Sequence, residues 1–275
     1  MASLEIGDNI SLHYEVAGKG RPLVFIHGWA MSGRVWRFQA EAFSIDHCVV
    51  TLDLRGHGHS SPLPGGEVEV EALAADVCTL VERLDLHDAV LVGWSLGAQV
   101  ALAATRRLWE RLAGLVLIGG TPKFTAGAGY PHGLPETEAR GMALRLKRNY
   151  AKTMGEFFHG MFAAGELSSD QYQRIVHDII MGGRLPEPEE ALRSLAILAA
   201  ADLRPLLATI DLPVLLLHGS ADTICLPAAS RFMAERLPRA RFIEMPDLGH
   251  APFLSRPAAF ERILREFLTD IHGCH

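Results

Sequence analysis

Residues 91–102 read LVGWSLGAQVAL, and this stretch decides the fold. Its first half closes a continuous apolar run, AVLVGW, and its second half, LGAQVAL, has helical spacing. Between them stands one serine, Ser95, with Gly93 and Gly97 two places to either side in the pattern G-x-S-x-G. A strand that becomes a helix within a single residue needs small side chains at those two places, because the backbones there nearly touch. The residue at the apex then projects from the top of the sheet with its hydroxyl clear of its neighbours. The amide of Leu96, first in the helix, points to where an oxyanion would form. The context predicts a nucleophile and not a helix cap, since a capping serine has no need of the flanking glycines.

Working outward, the runs PLVFIHG, CVVTLDLRG, AVLVGWS, LAGLVLIGG, PVLLLHGS and ARFIEMP are short, continuous and mostly rich in Val, Leu and Ile. That is the pattern of strands covered on both faces, as in a parallel sheet. ISLHYEVAG alternates instead and reads as an antiparallel edge strand. Helical periodicity fills the gaps, around Trp36 to Phe43, Val68 to Leu84, Leu96 to Leu108, Ala228 to Leu237 and Pro257 to Leu268. Strand alternating with helix predicts an α/β fold with a doubly wound, mostly parallel sheet. From 121 to 188 no strand is predicted, only helical pieces punctuated by Gly and Pro. This segment reads as a helical lid over the carboxyl ends of the strands, where open α/β sheets bind ligands. The core is then 1–120 and 189–275.

An alcohol is a poor nucleophile at neutral pH and needs a base, which in turn needs an orienting acid. Downstream of Ser95, PVLLLHGSADTICLP places Asp222 just after a strand, and PDLGHAPF places His250 just after another. Both fall at the sheet edge that carries Ser95. The loop HGW after PLVFI offers the amide of Trp29 as a second oxyanion donor beside that of Leu96. Other candidates read as structural. Asp202 precedes a short helix and is expected to cap it, and Asp247 shapes the turn before His250. His27 braces its loop, His57 and His59 belong to a Gly-rich structural loop, and His218 ends a strand as a packed histidine. His159 falls in the lid. His13, His47, His87, His177, His272 and His275 have no motif around them and read as surface or packing residues.

Taken in order, HGW, DLRGHGHS, GWSLG, the Asp222 loop and the His250 loop resemble the α/β-hydrolase superfamily over almost the whole chain. HGWAMSGRVW, GWSLGA, DLRPLLATIDLP and GHAPFLSRP, with tryptophans at Trp29 and Trp94, are similar to the biotin-synthesis esterases that demethylate pimeloyl-[acyl-carrier protein] methyl ester (the BioH family). The likeness implies that Trp29, Ser95, Leu96 and His250 line the substrate site, with a lid segment Phe157, Phe158, His159, Gly160 and Met161 as companion. It also implies a carrier-protein partner. RGMALRLKRNYAK, residues 140–152, holds Arg140, Arg145, Lys147, Arg148 and Lys152 and no acidic residue. Read as one helix, it puts Arg145, Arg148 and Lys152 on one face, which would suit an acidic carrier. An ordinary solvated helix face is the other reading.

Composition narrows the rest. A formal net charge of −6 gives no global reason to expect nucleic-acid or anionic-membrane binding. The start MASLEIGDNISLHYEVAG lacks a secretory pattern, and no apolar run reaches the roughly 18 residues of a membrane span. Cys48, Cys78, Cys225 and Cys274 are scattered and form no metal pattern. A cytoplasmic, monomeric enzyme without metal or organic cofactor is expected. The rivals are a broad carboxylesterase, a carbon–carbon bond hydrolase, and a non-catalytic small-molecule receptor on the same fold. A serine at the elbow argues against dehalogenase or epoxide hydrolase chemistry, in which the related families use an aspartate.

Overall fold

The apolar runs do become strands, and their spatial order explains where the site must lie. A computed structural model describes residues 2–7 and 10–273; Cys274, His275 and the side chain of His272 lie outside the described residues. The strands are β1 (Ala2–Gly7), β2 (Ile10–Ala17), β3 (Arg21–Ile26), β4 (His47–Leu52), β5 (Ala89–Trp94), β6 (Leu112–Ile118), β7 (Val214–Gly219) and β8 (Ala240–Met245). They form one sheet in the order β1-β2-β4-β3-β5-β6-β7-β8. β2 runs antiparallel to both its neighbours, and β4, β3, β5, β6, β7 and β8 run parallel. β5 and β7 are buried along their whole length, as their unbroken apolar runs require.

One expectation is corrected here. ISLHYEVAG is not the edge strand, because β1 pairs outside it, with Ala2 opposite Tyr14. β1 is exposed or half-buried throughout. A strand that covers so little core carries no apolar run to announce it.

The helices are α1 (Arg37–Phe43), α2 (Val70–Arg83), α3 (Leu96–Leu108), α4 (Glu136–Arg148), α5 (Tyr150–Gly160), α6 (Ser169–Arg174), α7 (Pro188–Ala200), α8 (Pro227–Ala234), α9 (Pro252–Ser255) and α10 (Pro257–His272). Of these, α1, α2, α3, α8 and α10 follow the expected periodicities, whereas α9 and the part of α7 beyond residue 188 were not expected. Between β6 and β7 the chain makes α4, α5, α6, a π-helical turn at Ile175–Ile180, and α7. Among the described residues it forms there only isolated bridges, such as Lys123 with Asp202, and no strand.

The basic segment is not one helix. α4 ends at Arg148, and Asn149 (φ −156°, ψ 87°) breaks the chain direction. The Asn149 side chain then caps α5 by accepting the Lys152 amide at 3.1 Å. An asparagine competes with the helix for backbone hydrogen bonds, which favours it at a cap. Lys152 therefore sits on a different helix from Arg145 and Arg148, and the single-face reading fails.

From β3 the chain adds β4 on one side, then crosses to add β5 on the other. Open α/β sheets bind ligands where that order reverses, which here is at the carboxyl ends of β3 and β5. There Ile26 lies opposite Gly93, so the HGW loop and the Ser95 elbow leave the sheet side by side.

Candidate active site

Ser95 holds φ 56° and ψ −114°, a left-handed backbone that a non-glycine residue rarely adopts. Such strain costs about 1–3 kcal/mol and persists only where the surroundings enforce it. They do so here. A Cβ on Gly93 would fall 2.3 Å from the Gly97 carbonyl oxygen, and one on Gly97 would fall 2.2 Å from that of Ile26. The Ser95 amide is tied to the Ile118 carbonyl of β6 at 3.0 Å.

β7 and β8 deliver the other two groups. The Asp222 carboxylate accepts the amides of Ile224 (2.8 Å) and Cys225 (3.0 Å) on Oδ1. On Oδ2 it accepts His250 Nδ1 at 2.7 Å. Both side chains are shut off from solvent. Burial pushes the Asp222 carboxyl up, but His250 and His218 outweigh it and hold the group well below the usual carboxylate range. His250 Nε2, the nitrogen a serine proton would reach, is buried and has no hydrogen-bond partner. The backbone of His250 is pinned on both sides. Its amide donates to the Met161 carbonyl at 2.7 Å, and its carbonyl accepts the Trp94 indole N–H at 2.9 Å. Trp94 adjoins Ser95 in sequence, and its ring lies 5.3 Å from that of His250.

The HGW loop closes over the elbow. A Cβ on Gly28 would lie 3.2 Å from that of Ser95. The Trp29 amide makes no hydrogen bond among the described residues, and Leu96, first in α3, has no intrahelical acceptor. His27 does brace this loop: its Nε2 accepts the Leu54 amide at 2.9 Å and its Nδ1 donates to Gly28 O at 2.7 Å. The loop at 53–60 is structural, with Asp53 accepting the amides of Gly33 and His59. Asp202 pairs with Arg204, and Asp247 holds φ 58° in the turn before His250.

The lid residues divide. Phe157 packs edge-on against the Trp29 ring at 4.8 Å, and Met161 holds His250 through its carbonyl. Phe158 is buried, whereas His159 and Gly160 are exposed. A cavity of about 210 Å³ runs between α4, α5 and the Asp222 loop, lined among others by Phe157, Gly160, Arg145 and Ile224. Ser95 is only 4% exposed and does not line it. Arg140 pairs with Glu136 at 2.6 Å and Lys152 with Glu156 at 3.8 Å, while Arg145 and Arg148 form no ion pair among the described residues. Sequence reasoning missed Glu166 of the 121–188 insertion, whose buried carboxylate accepts the amides of Ala163 (2.6 Å) and Gly249 (2.8 Å) next to His250. An isolated glutamate there carries no pattern that would have flagged it. Among the described residues no His, Cys, Asp or Glu cluster fits a metal ion, and no helix is long and apolar enough to cross a membrane.

A strained elbow serine, a buried Asp–His pair and two free amides at the carboxyl edge of the sheet define a hydrolase. The alpha/beta hydrolase fold family model matches residues 21–257, and the chain belongs to that family. Among curated relatives, the pimeloyl-[acyl-carrier protein] methyl ester esterase of Nitrosomonas europaea is 35% identical, covering 91% of this chain and 96% of its own. That of Chromobacterium violaceum is 32% identical, covering 94% and 98%. Of solved structures, an esterase from Thermogutta terrifontis matches at 29% identity and TM-score 0.81, over 96% of this chain and 94% of its own.

Proposed function

We propose that this protein is a serine carboxylesterase that demethylates pimeloyl-[acyl-carrier protein] methyl ester. The observation that carries the chemistry is the His250 imidazole, fixed by Asp222 on Nδ1 and unpartnered on Nε2, beside the elbow serine. The substrate assignment is supported by the two relatives of that name, each matched over nearly its whole length.

In the proposed reaction Ser95 Oγ gives its proton to Nε2 of His250 and attacks the ester carbonyl. The Trp29 and Leu96 amides bind the oxyanion, where one such donor is typically worth about a hundred- to a thousandfold in rate. Asp222 holds the imidazole tautomer and stabilises the cation. The Nε2 proton leaves with methanol, and the acyl group stays on Ser95. Water then gives a proton to His250 and its hydroxide attacks the acyl-serine. Return of the proton to Oγ frees the acid.

Residues 121–188 act as the lid. Phe157, Phe158, His159, Gly160 and Met161 form its face towards the substrate, with Phe157 on Trp29 as the direct contact. Arg140, Arg145, Arg148 and Lys152 face an acidic carrier protein from two helices. Arg145 stands at the rim of the 210 Å³ cavity, where a carrier-borne chain would enter. The enzyme works as a cytoplasmic monomer.

The test is methanol release from carrier-linked methyl pimelate, with Ser95→Ala alongside and rescue of a biotin-requiring strain that lacks this esterase. Turnover abolished in Ser95→Ala, with the strain rescued only by the wild type, is the expected result. Near-normal hydrolysis by Ser95→Ala would overturn the nucleophile. Hydrolysis of small esters or ring-cleavage dienones in preference to the carrier-linked ester would overturn the substrate.

A further inference from the structure

Asp222 serves two imidazoles, and the proposed reaction uses one. His218, at the end of β7, is fully buried four residues before Asp222. Its Nε2 lies 3.0 Å from Asp222 Oδ2, the same oxygen that receives His250 Nδ1, and 2.8 Å from the Cys225 carbonyl. A carbonyl only accepts, so this nitrogen carries a hydrogen. The opposite nitrogen, Nδ1, stands 2.7 Å from the Ser230 hydroxyl. That hydroxyl donates to Nδ1 in the neutral ring, its other acceptor, the Gly120 carbonyl, being more distant at 3.5 Å. The tautomer of His218 is thus set from both sides: its N–H is bonded to the Cys225 carbonyl, and Nε2 stands 3.0 Å from the carboxylate oxygen that holds the histidine beside the nucleophile.

We infer that His218 is a positioning residue for the Ser95–His250–Asp222 reaction, acting through Oδ2 of Asp222; the inference rests on that assignment of the three residues. The two amides on Oδ1 anchor one carboxylate oxygen but leave the group free to pivot about it. The His218 ring, with Nε2 3.0 Å from Oδ2, removes that freedom and keeps Oδ2 facing His250 Nδ1. It also takes up part of the charge on Oδ2. Without it, the full negative charge on Oδ2 would face His250, and an opposite charge that close favours the charged form of an imidazole. The other ionisable groups close by do not change with residue 218. Burial pushes the Cys225 thiol up, so it is neutral. Glu166 accepts the Gly249 amide. Glu244, opposite His218 on β8, pairs with Arg231.

Three variants of the full-length enzyme test this, with a small methyl ester as substrate. His218→Leu removes both hydrogen bonds at similar bulk. His218→Gln keeps an N–H for Oδ2 and an acceptor for Ser230. His218→Asn keeps a buried amide but withdraws it from Oδ2, and it serves if the leucine variant fails to fold. Outer hydrogen-bond partners of a working imidazole typically matter by about 10- to 100-fold when lost, a range taken from metal-bound histidines. The expectation at its lower end is a kcat about tenfold down in His218→Leu or His218→Asn with KM little changed. The acid limb of kcat/KM should move to higher pH, and His218→Gln should recover most of the rate. A wild-type kcat and pH profile in a folded His218→Leu or His218→Asn would overturn the inference, as would a loss that glutamine does not rescue. Ser95→Ala and Asp222→Asn run beside them. If those two stay active, the assignment of the reacting residues has failed. If they are inactive while the His218 variants behave as wild type, only the role of His218 has.

Discussion

Two of the Asp–His pairs along this sheet look alike at first sight. In one, Asp222 meets His250 Nδ1 at 2.7 Å; in the other, Asp53 meets His13 Nδ1 at 3.1 Å. Each carboxylate also takes two backbone amides, and each imidazole has a buried Nε2 with no partner. The difference lies in whose amides they are. Asp53 draws Gly33 and His59 onto separate oxygens, so with His13 it staples three distant segments. Asp222 is held on one oxygen by its own loop, and Oδ2 is left for imidazoles. A carboxylate used up by the chain is architecture; one held locally, with an oxygen to offer, is available for chemistry. What stands beyond completes the contrast, for His250 adjoins the strained elbow, whereas His13 packs edge-on against His59.

Paired substitutions give the largest expected contrast. Asp222→Asn should lower kcat per folded molecule by about ten-thousandfold, the scale seen when an asparagine puts a catalytic histidine in the wrong tautomer. Asp53→Asn should leave kcat per folded molecule within a small factor while destabilising the protein by about 1–3 kcal/mol through its weakened buried hydrogen bonds. Steady-state rates normalised to active-site titration, with chemical denaturation alongside, read both. A comparable loss of rate from Asp53→Asn would erase the distinction between the two pairs.

Histidines committed to the architecture should also reveal themselves by how acid affects stability. Burial, with His27 beside it, pushes His57 down to about 3, and burial likewise lowers His27. Both are neutral when folded but titrate near 6.5 when unfolded. The unfolded chain therefore binds more protons below that pH, and stability falls as pH drops from about 6.5 towards 3. Each such histidine contributes about 1.4 kcal/mol per pH unit over its window. The depressed Asp222 acts in the same direction further down, its contribution being lost as pH falls below the unfolded carboxylate value. Denaturant titrations between pH 7 and 4 check the slope, and His57→Asn, which cannot titrate, should flatten it. An unchanged slope would mean that His57 is not held neutral.

What was legible follows the same division between pattern and contact. Gly93 and Gly97 were readable because a close backbone approach demands them, and α3 begins and ends where its spacing predicted. Asp222 and His250 were readable because strand ends put them at one edge. β1 was not, since an outer strand with no core to cover has no apolar signature. The break at Asn149 was missed because a basic run is compatible with a continuous helix, and only the cap geometry shows the stop. The sharing of Asp222 by His218 was invisible for another reason. His218 reads as a packed histidine, and it is one; that its Nε2 falls 3.0 Å from Oδ2 depends on how the loop from Gly219 to Cys225 turns back over the strand.

The same distinction extends, at smaller scale, to the basic residues of the 121–188 insertion. Arg140 is already paired with Glu136 and Lys152 with Glu156, whereas Arg148 is exposed with no carboxylate partner among the described residues. Rim charges act mainly on encounter, and salt screens them over about 8–10 Å. Arg148→Glu should therefore raise KM for a carrier-linked ester by a few-fold at low ionic strength, with the difference fading as salt is added. Arg140→Glu should do less, because the charge it removes is already half-neutralised by a neighbour. A small methyl ester, which needs no docking, reports whether either substitution has disturbed the site itself. If Arg140→Glu and Arg148→Glu weaken the carrier-linked substrate equally and regardless of salt, the carrier does not select the uncommitted charge. If both substrates suffer alike, the basic residues are part of the lid's own packing and not a surface for a partner.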